Sequence, residues 1–348
     1  MGGLASGLAE FAARLRGCRV AIVYSHCAEG APEERWYHRW RTNVVAMFSQ
    51  AIEHCGAIAV FFDLDQWIEH CARPRSKIDY LVNLNAGNRS LDQWGIAPAL
   101  AEWAGIPVFP CSAFTVMLGE AKDVSKIIAR SHGWKTARAP NEGLTEGDLV
   151  VRKPRSFGSS VDLERGPLKT MEPRSGDWII EEFVPGYDAT IVSFYAAVTN
   201  SFECHGAQSI IPETTSPESW MYDAFEKRHT GERTKIDFRQ CPVSAELARK
   251  SVELTQSLGS RFVSRIDVRV SRKPTPSTPI EFADCTFLEI NPMPTIGPRN
   301  SVTEFAARYV EQNVAHDDLG WLSKIAADRI ERAAAYILSC GLMVVSSK

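Results

Sequence analysis

Apolar and polar residues alternate along this chain with two periods, and the period changes from region to region. Through the first third, short apolar runs are separated by longer amphipathic stretches. Arg19–Tyr24 (RVAIVY) is a β-branched run, and Ala57–Phe62 (AIAVFF), Asp79–Leu84 (DYLVNL) and Pro107–Phe109 are of the same kind. Such runs read as buried strands. Between them, Leu8–Leu15, Glu33–His54 and Ile96–Ala104 carry apolar residues at helical spacing, with Gly56 and Gly105 as stops. Strands alternating with helices imply a parallel sheet with covered faces. The loops near Ser25–Glu33 and Asn83–Arg89 would then face a ligand crevice.

The pattern changes after about residue 118. A helix is expected over Ala121–Ser131, then strands at Val150–Lys153 and Trp178–Phe183, forming a small mixed lobe. Strand Ala189–Val198 opens the last part. A helix at Ser244–Leu258 and strands at Arg265–Val270 and Phe287–Ile290 follow, with Ser271–Ser277 as a hairpin tip. Helices are expected over Ser301–Tyr309 and Leu322–Leu338. Ser209–Asp237 is long, polar and weakly periodic, which suits a lid. These elements predict an α/β (α+β composite) fold in three parts: 1–118, 119–187 and 188–348.

Composition narrows the function. Hydrophobic residues make up 45% and charged residues 23%, as in an ordinary globular protein. The net charge of −3 lacks the basic excess of a nucleic-acid binder. There is no apolar run long enough for a membrane span and no basic, apolar leader. Nine scattered cysteines without a Cys-x-x-Cys pair point to a reducing cytoplasm rather than a disulfide framework. The Gly-Lys-Ser/Thr phosphate loop and the Gly-x-Gly-x-x-Gly turn are both absent from the sequence.

The chemistry lies in four dispersed segments. Val150–Ser160 delivers Lys153 on a strand and follows it with a turn holding Gly158, Ser159 and Ser160. A lysine and a small-residue turn suit phosphate oxygens. Trp178–Asp188 ends an apolar strand with Glu181 and Glu182, continues through Phe183 and Val184, and places Asp188 after a Pro-Gly turn. That offers a strand edge for a purine and a carboxylate for a ribose. Period-2 alternation puts Arg265 and Asp267 on one strand face, and Glu289 and Asn291 on another. If the strands are neighbours, Asp267, Glu289 and Asn291 supply oxygen ligands for Mg²⁺ or Mn²⁺. Asn291–Ser301 is a Pro- and Gly-rich loop opening a helix, where Arg299 and the helix N-terminus suit an anionic group. Taken singly, each segment also fits a solvated turn or strand end.

Together, in this order and spacing, they resemble the ATP-grasp superfamily, and within it the D-alanine–D-alanine ligases. The resemblance runs from about Arg19 to Val310 and is strongest from Lys122 onward. It implies an N-terminal Rossmann-like sheet domain followed by two lobes that clamp ATP. Lys126 and Lys153 match the two ATP-phosphate lysines, and Ser159 and Ser160 match the phosphate-covering loop. Glu181, Glu182, Phe183 and Val184 match the adenine hinge, and Asp188 matches the ribose carboxylate. Lys227 matches the lid lysine and Arg265 the arginine at the reacting centre; with Ser160 these are the implied catalytic groups. Asp267, Glu289 and Asn291 match the ligands of two Mg²⁺ ions. Gly297, Arg299, Ser301 and Glu33 fall where the family holds its substrates.

The departures concern the amino-acid half. The family's amine-holding glutamate has only Glu33 or Glu34 as a counterpart. The third strand leads into Asn83-Leu-Asn-Ala-Gly87 without the family's histidine, and the Asn-x-x-Pro-Gly-Met-Thr loop becomes Asn291-Pro-Met-Pro-Thr-Ile-Gly297. Arg228 replaces the aromatic residue after the lid lysine. The resemblance therefore implies an ATP- and Mg²⁺-dependent ligase joining amino-acid-like substrates through an acyl phosphate, with altered substrate choice. A D-alanine–D-alanine ligase of cell-wall synthesis and a phosphotransferase without an amine acceptor are the alternatives. A homodimer without nucleic-acid or membrane partners is implied as well.

Overall fold

The computed structural model describes residues 5–25, 42–73, 76–85, 94–156, 160, 162–172, 178–213, 216, 218–229, 232–260, 262–294, 296–297, 300–314 and 319–346. Near the N-terminus, β1 (Arg19–Tyr24), β2 (Ile58–Phe62), β3 (Tyr80–Leu84) and β4 (Val108–Phe109) form a parallel sheet in the order β2-β1-β3-β4. Helices α1 (Ala5–Arg14), α2 (Thr42–His54), α3 (Leu64–Ala72) and α4 (Ile96–Trp103) accompany it. The strands fall within about a residue of expectation. Of the helix expected over Glu33–His54, residues 33–41 lie outside the described residues. Helix α3 was not anticipated, yet its start was legible: Asp63 accepts from the Gln66 N–H, and the Gln66 side chain accepts from the Asp63 N–H.

Helices α5 (Ala113–Glu120) and α6 (Lys122–Ser131) lead to the short β5 (Lys135–Thr136). Strands β6 (Leu149–Pro154), β7 (Glu164–Pro167) and β8 (Trp178–Glu182) make an antiparallel sheet in the order β7-β6-β8. Strands β9 (Tyr187–Ala196), β10 (Ser201–Pro212), β11 (Ile236–Cys241), β12 (Val263–Val270) and β13 (Cys285–Asn291) join β5 in a six-stranded sheet, β11-β10-β9-β12-β13-β5. Between or after these strands lie α7 (Ala224–Arg228), α8 (Ala245–Ser257), α9 (Ser301–Asn313), α10 (Leu322–Ile325) and α11 (Arg329–Ser346).

Two expectations need correction. The ends of Ser209–Asp237 belong to the sheet: Ser209 pairs with Arg239 and Pro212 with Ile236. The buried Ser209–Pro212 end of β10 is too short an apolar run to stand out from the polar segment that follows it. The Glu213 N–H still donates to Lys235 O, and α7 lies between these two residues. The helix expected over Leu322–Leu338 is two helices. Ala326 is extended, and Asp328 accepts from the N–H groups of Ile330 and Glu331 to start a new helix.

The largest core crosses the chain from end to end. Buried Leu8, Phe48 and Phe109 pack in one cluster with Phe194, Phe262 and Tyr336. Helix α11 lies across α2 and against β4 and β9. A Cβ on Gly341 would stand 2.4 Å from Phe109 Cδ2, so α11 needs glycine to come this close. Among the described residues, no helix is long and apolar enough to cross a membrane.

Candidate active site

A cavity of about 370 Å³ lies between the three-stranded and six-stranded sheets. Its floor comes from β12 and β13. They run antiparallel, with Arg265 opposite Asn291 and Asp267 opposite Glu289. Period-2 spacing on paired strands therefore gathers these four side chains in one small area. Arg265 grips Asp267 with both arms, at 3.0 and 2.9 Å, and Thr190 Oγ1 donates to Asp267 at 2.9 Å. Asn291 Oδ1 accepts from the Met293 N–H at 2.9 Å, which fixes the amide at the strand end.

Cations gather around Glu289. Lys122 Nζ stands 3.5 Å from its carboxylate. Burial favours the neutral acid, but Lys122, Lys153, Lys227 and Arg265 outweigh it and draw Glu289 well below the usual carboxylate range. Across the cavity, β6 carries Lys153 and β8 carries Glu181. Lys153 Nζ lies 2.6 Å from Glu181 Oε1, and Lys126 pairs with the other oxygen. Burial pushes Lys153 down to about 8. Burial, then the neighbouring Lys153 and Lys122, push Lys126 down as well.

The two α6 lysines have different positions. Lys153 and Lys122 border the cavity, whereas Lys126 packs behind Glu181. Lys122 is the residue that sequence reasoning missed. It stands one helical turn before Lys126, on the same helix face, and that spacing was the available signal.

The far end of the cavity holds Glu182, Phe183, Val184 and Asp188. Glu182 is held by Arg138 at 2.8 and 2.9 Å. The Phe183 N–H donates to Leu149 O, and Val184 O accepts from Arg269. Asp188 accepts from Arg269 at 2.8 Å and from the Tyr222 N–H at 3.2 Å. The segment carrying α7 closes one side. Lys227 Nζ donates to Ser160 Oγ at 2.8 Å, and Ser160 adopts a left-handed φ of 57°.

Ser301 borders the cavity at the start of α9, where the Asn300 side chain caps the helix by accepting from Val302 N. Gly297 is buried, and its N–H donates to Thr303 Oγ1 at 2.9 Å. That bond ties the loop after β13 to the first turn of α9. Glu33, Glu34, Gly158, Ser159 and Arg299 lie outside the described residues. Glu120, the last residue of α5, is one further carboxylate whose charge is coupled to the floor. Burial raises its pKa to about 8, Lys122 and Arg265 pull it down, and Glu289 pushes it up.

No family model matches the sequence, and no curated protein sequence matches it significantly. Solved structures do match. A D-alanine–D-alanine ligase from Bacillus anthracis in complex with ATP superposes with a TM-score of 0.61 at 15% identity, covering 95% of this chain and 99% of that one. VanG, the D-Ala:D-Ser ligase from Enterococcus faecalis, superposes with a TM-score of 0.57 at 14% identity, covering 89% and 98%. The two sheets with the cavity between them are thus the ATP-grasp fold. Within that fold the architecture is D-alanine–D-alanine ligase-like.

Proposed function

We propose that this chain is an ATP- and Mg²⁺-dependent carboxylate–amine ligase that joins two amino acids through an acyl phosphate, with substrates other than two D-alanines. The observation that supports it best is the convergence of Lys122, Lys153, Lys227 and Arg265 on the Asp267–Glu289 strand pair. Phosphoryl transfer asks mainly for positioning and charge neutralisation. Lys122 and Lys153 hold the polyphosphate. Lys227 covers the transferred group from the lid side, with Ser160 beside it. Arg265, oriented by Asp267, faces the charge that develops at the acyl carbon. Phe183, Val184 and Asp188 hold the nucleoside end.

The donor set also fits a divalent ion. Among the described residues, no three His, Cys, Asp or Glu side chains form a metal cage. Two carboxylates and an amide oxygen leave room for phosphate oxygens, as Mg²⁺ prefers. Asp267, Glu289 and Asn291 would hold it, and it would neutralise the phosphates when bound. By resemblance, the proposal extends to a cytoplasmic homodimer.

The test is ADP release with Mg-ATP against single and paired L- and D-amino acids, with mass spectrometry of the products. A mixed or non-alanine dipeptide supports the proposal. Turnover with D-alanine alone makes the chain a D-alanine–D-alanine ligase. A phosphorylated compound without a peptide makes it a phosphotransferase.

The buried Lys153 adds a pH signature. Its pKa near 8 in the free protein rises when phosphate arrives, because an anion favours the charged lysine. Nucleotide binding above pH 8 is therefore expected to take up about one proton, and affinity to fall as pH rises further. Calorimetry in buffers of different ionisation enthalpy measures the uptake. Lys153→Met should lose it.

A further inference from the structure

We infer that Arg269 is a positioning residue that ties the segment carrying α7 to the ribose of the nucleotide, so that the placing of Lys227 depends on a ribose hydroxyl; this rests on the ATP-dependent reading above. Period-2 spacing puts Arg269 on the same face of β12 as Arg265 and Asp267, and it stands opposite Asp188 of β9. Its side chain is only 4% exposed. A guanidinium buried this far needs acceptors for its fork of donors.

It finds them in two places far apart in the chain. Nε donates to Val184 O at 3.0 Å and one Nη to Asp188 Oδ2 at 2.8 Å, both at the nucleoside end of the cavity. The other Nη donates to Trp220 O at 3.0 Å, ahead of α7. Trp220 is buried, so the segment is docked at this point. Two residues on, the Tyr222 N–H donates to the same Asp188 Oδ2 at 3.2 Å. The segment that carries Lys227 thus meets the nucleoside end through one guanidinium and one carboxylate oxygen.

Asp188 and Arg269 both border the cavity. Among the described residues, no protein donor reaches the second oxygen, Asp188 Oδ1. Oδ1 is the acceptor left for a ribose hydroxyl. A hydroxyl there fixes the rotation of the carboxylate, and with it the Oδ2 that Arg269 and the Tyr222 N–H share. Buried hydrogen bonds that meet on one group strengthen or weaken together. By linkage, what the segment gains from the ribose, nucleotide affinity gains from the segment. A nucleotide without that hydroxyl leaves Lys227 less well placed, which lowers turnover as well as affinity.

The test compares ATP with 2′-deoxy-ATP and 3′-deoxy-ATP. One readout is ADP release with the carboxylate that is most active in the panel above. The other is trypsin cleavage at Arg228, Arg233 and Lys235 with each Mg-nucleotide present, which needs no turnover. In the wild type, the nucleotide lacking the bonded hydroxyl should lose about 10- to 100-fold in kcat/KM, part of it in kcat, and should protect the segment less. In Arg269→Met, the loss in kcat should shrink to less than about threefold, and ATP should protect no better than the deoxy nucleotides. Arg269→Lys keeps the buried charge without the fork. It should fall in between, and it carries the comparison where Arg269→Met does not fold. Variants that keep the wild-type discrimination in kcat and in protection, with KM raised alike for every nucleotide, overturn the inference. So does a wild type that treats the three nucleotides alike. A wild type with the expected protection pattern that releases no ADP with any carboxylate removes the ligase reading and leaves this inference standing.

Discussion

Lys227→Ala should lower turnover by about 10²–10³-fold while changing ATP affinity less than about tenfold. The asymmetry follows from where the lysine sits. It lies on α7, in the segment that leaves the sheet between β10 and β11, and it reaches Ser160 rather than a residue of the floor. Asp223 caps α7 by accepting from the Glu226 N–H, which fixes the start of the helix. Burial pushes Lys227 down, and the charges of Glu289 and Asp267 pull it back up. A lysine poised in this way strengthens its hold as charge shifts onto the transferred group. Lys122 and Lys153 still anchor the nucleotide without it. ADP-release kinetics and calorimetric ATP binding on the same preparation check the split. Equal losses in both would make Lys227 a plain binding residue, and unchanged turnover would remove the lid assignment.

Glu289→Gln is expected to have the largest effect. Turnover should fall on the order of a thousandfold, since an ion's charge stabilisation is worth several kcal/mol. The sign of a second effect is more telling. Glu289 opposes phosphate in the absence of metal, because it neutralises the surrounding cations. Removing its charge should tighten metal-free ATP binding and abolish the gain that Mg²⁺ gives the wild type. Titrations with Mg²⁺ and with a chelator measure both. A variant that keeps the wild-type Mg²⁺ response would remove Glu289 from the metal site. Without ligand, the variant should melt lower, since buried Lys122 loses its counter-ion. Tripolyphosphate should restore much of that loss.

The sheet positions of the candidate site were legible in the sequence because strand periodicity is local. Alternation along Arg265–Val270 and Phe287–Ile290 brought Arg265, Asp267, Glu289 and Asn291 together once the two runs were paired. What was not legible depended on distant partners. Lys122 and Lys126 have the same helical register; only the position of Glu181, on a different sheet, decides which one borders the cavity. The bond from the Gly297 N–H to Thr303 Oγ1 likewise depends on how the loop folds back onto α9. The end of β10 and the start of β11 were hidden because their pairing partners lie across the same excursion.

A core that joins segments far apart in the sequence bears on how the chain is made. Tyr336 donates to Tyr195 O at 2.7 Å and accepts from the Ala197 N–H, and its helix covers the apolar face of α2. During synthesis, Leu8, Phe48 and Phe109 emerge long before the helix that buries them. The nascent chain thus carries a bare apolar surface until α11 is made, a state open to chaperone capture and to aggregation. A chain that lacks α11 keeps that surface uncovered.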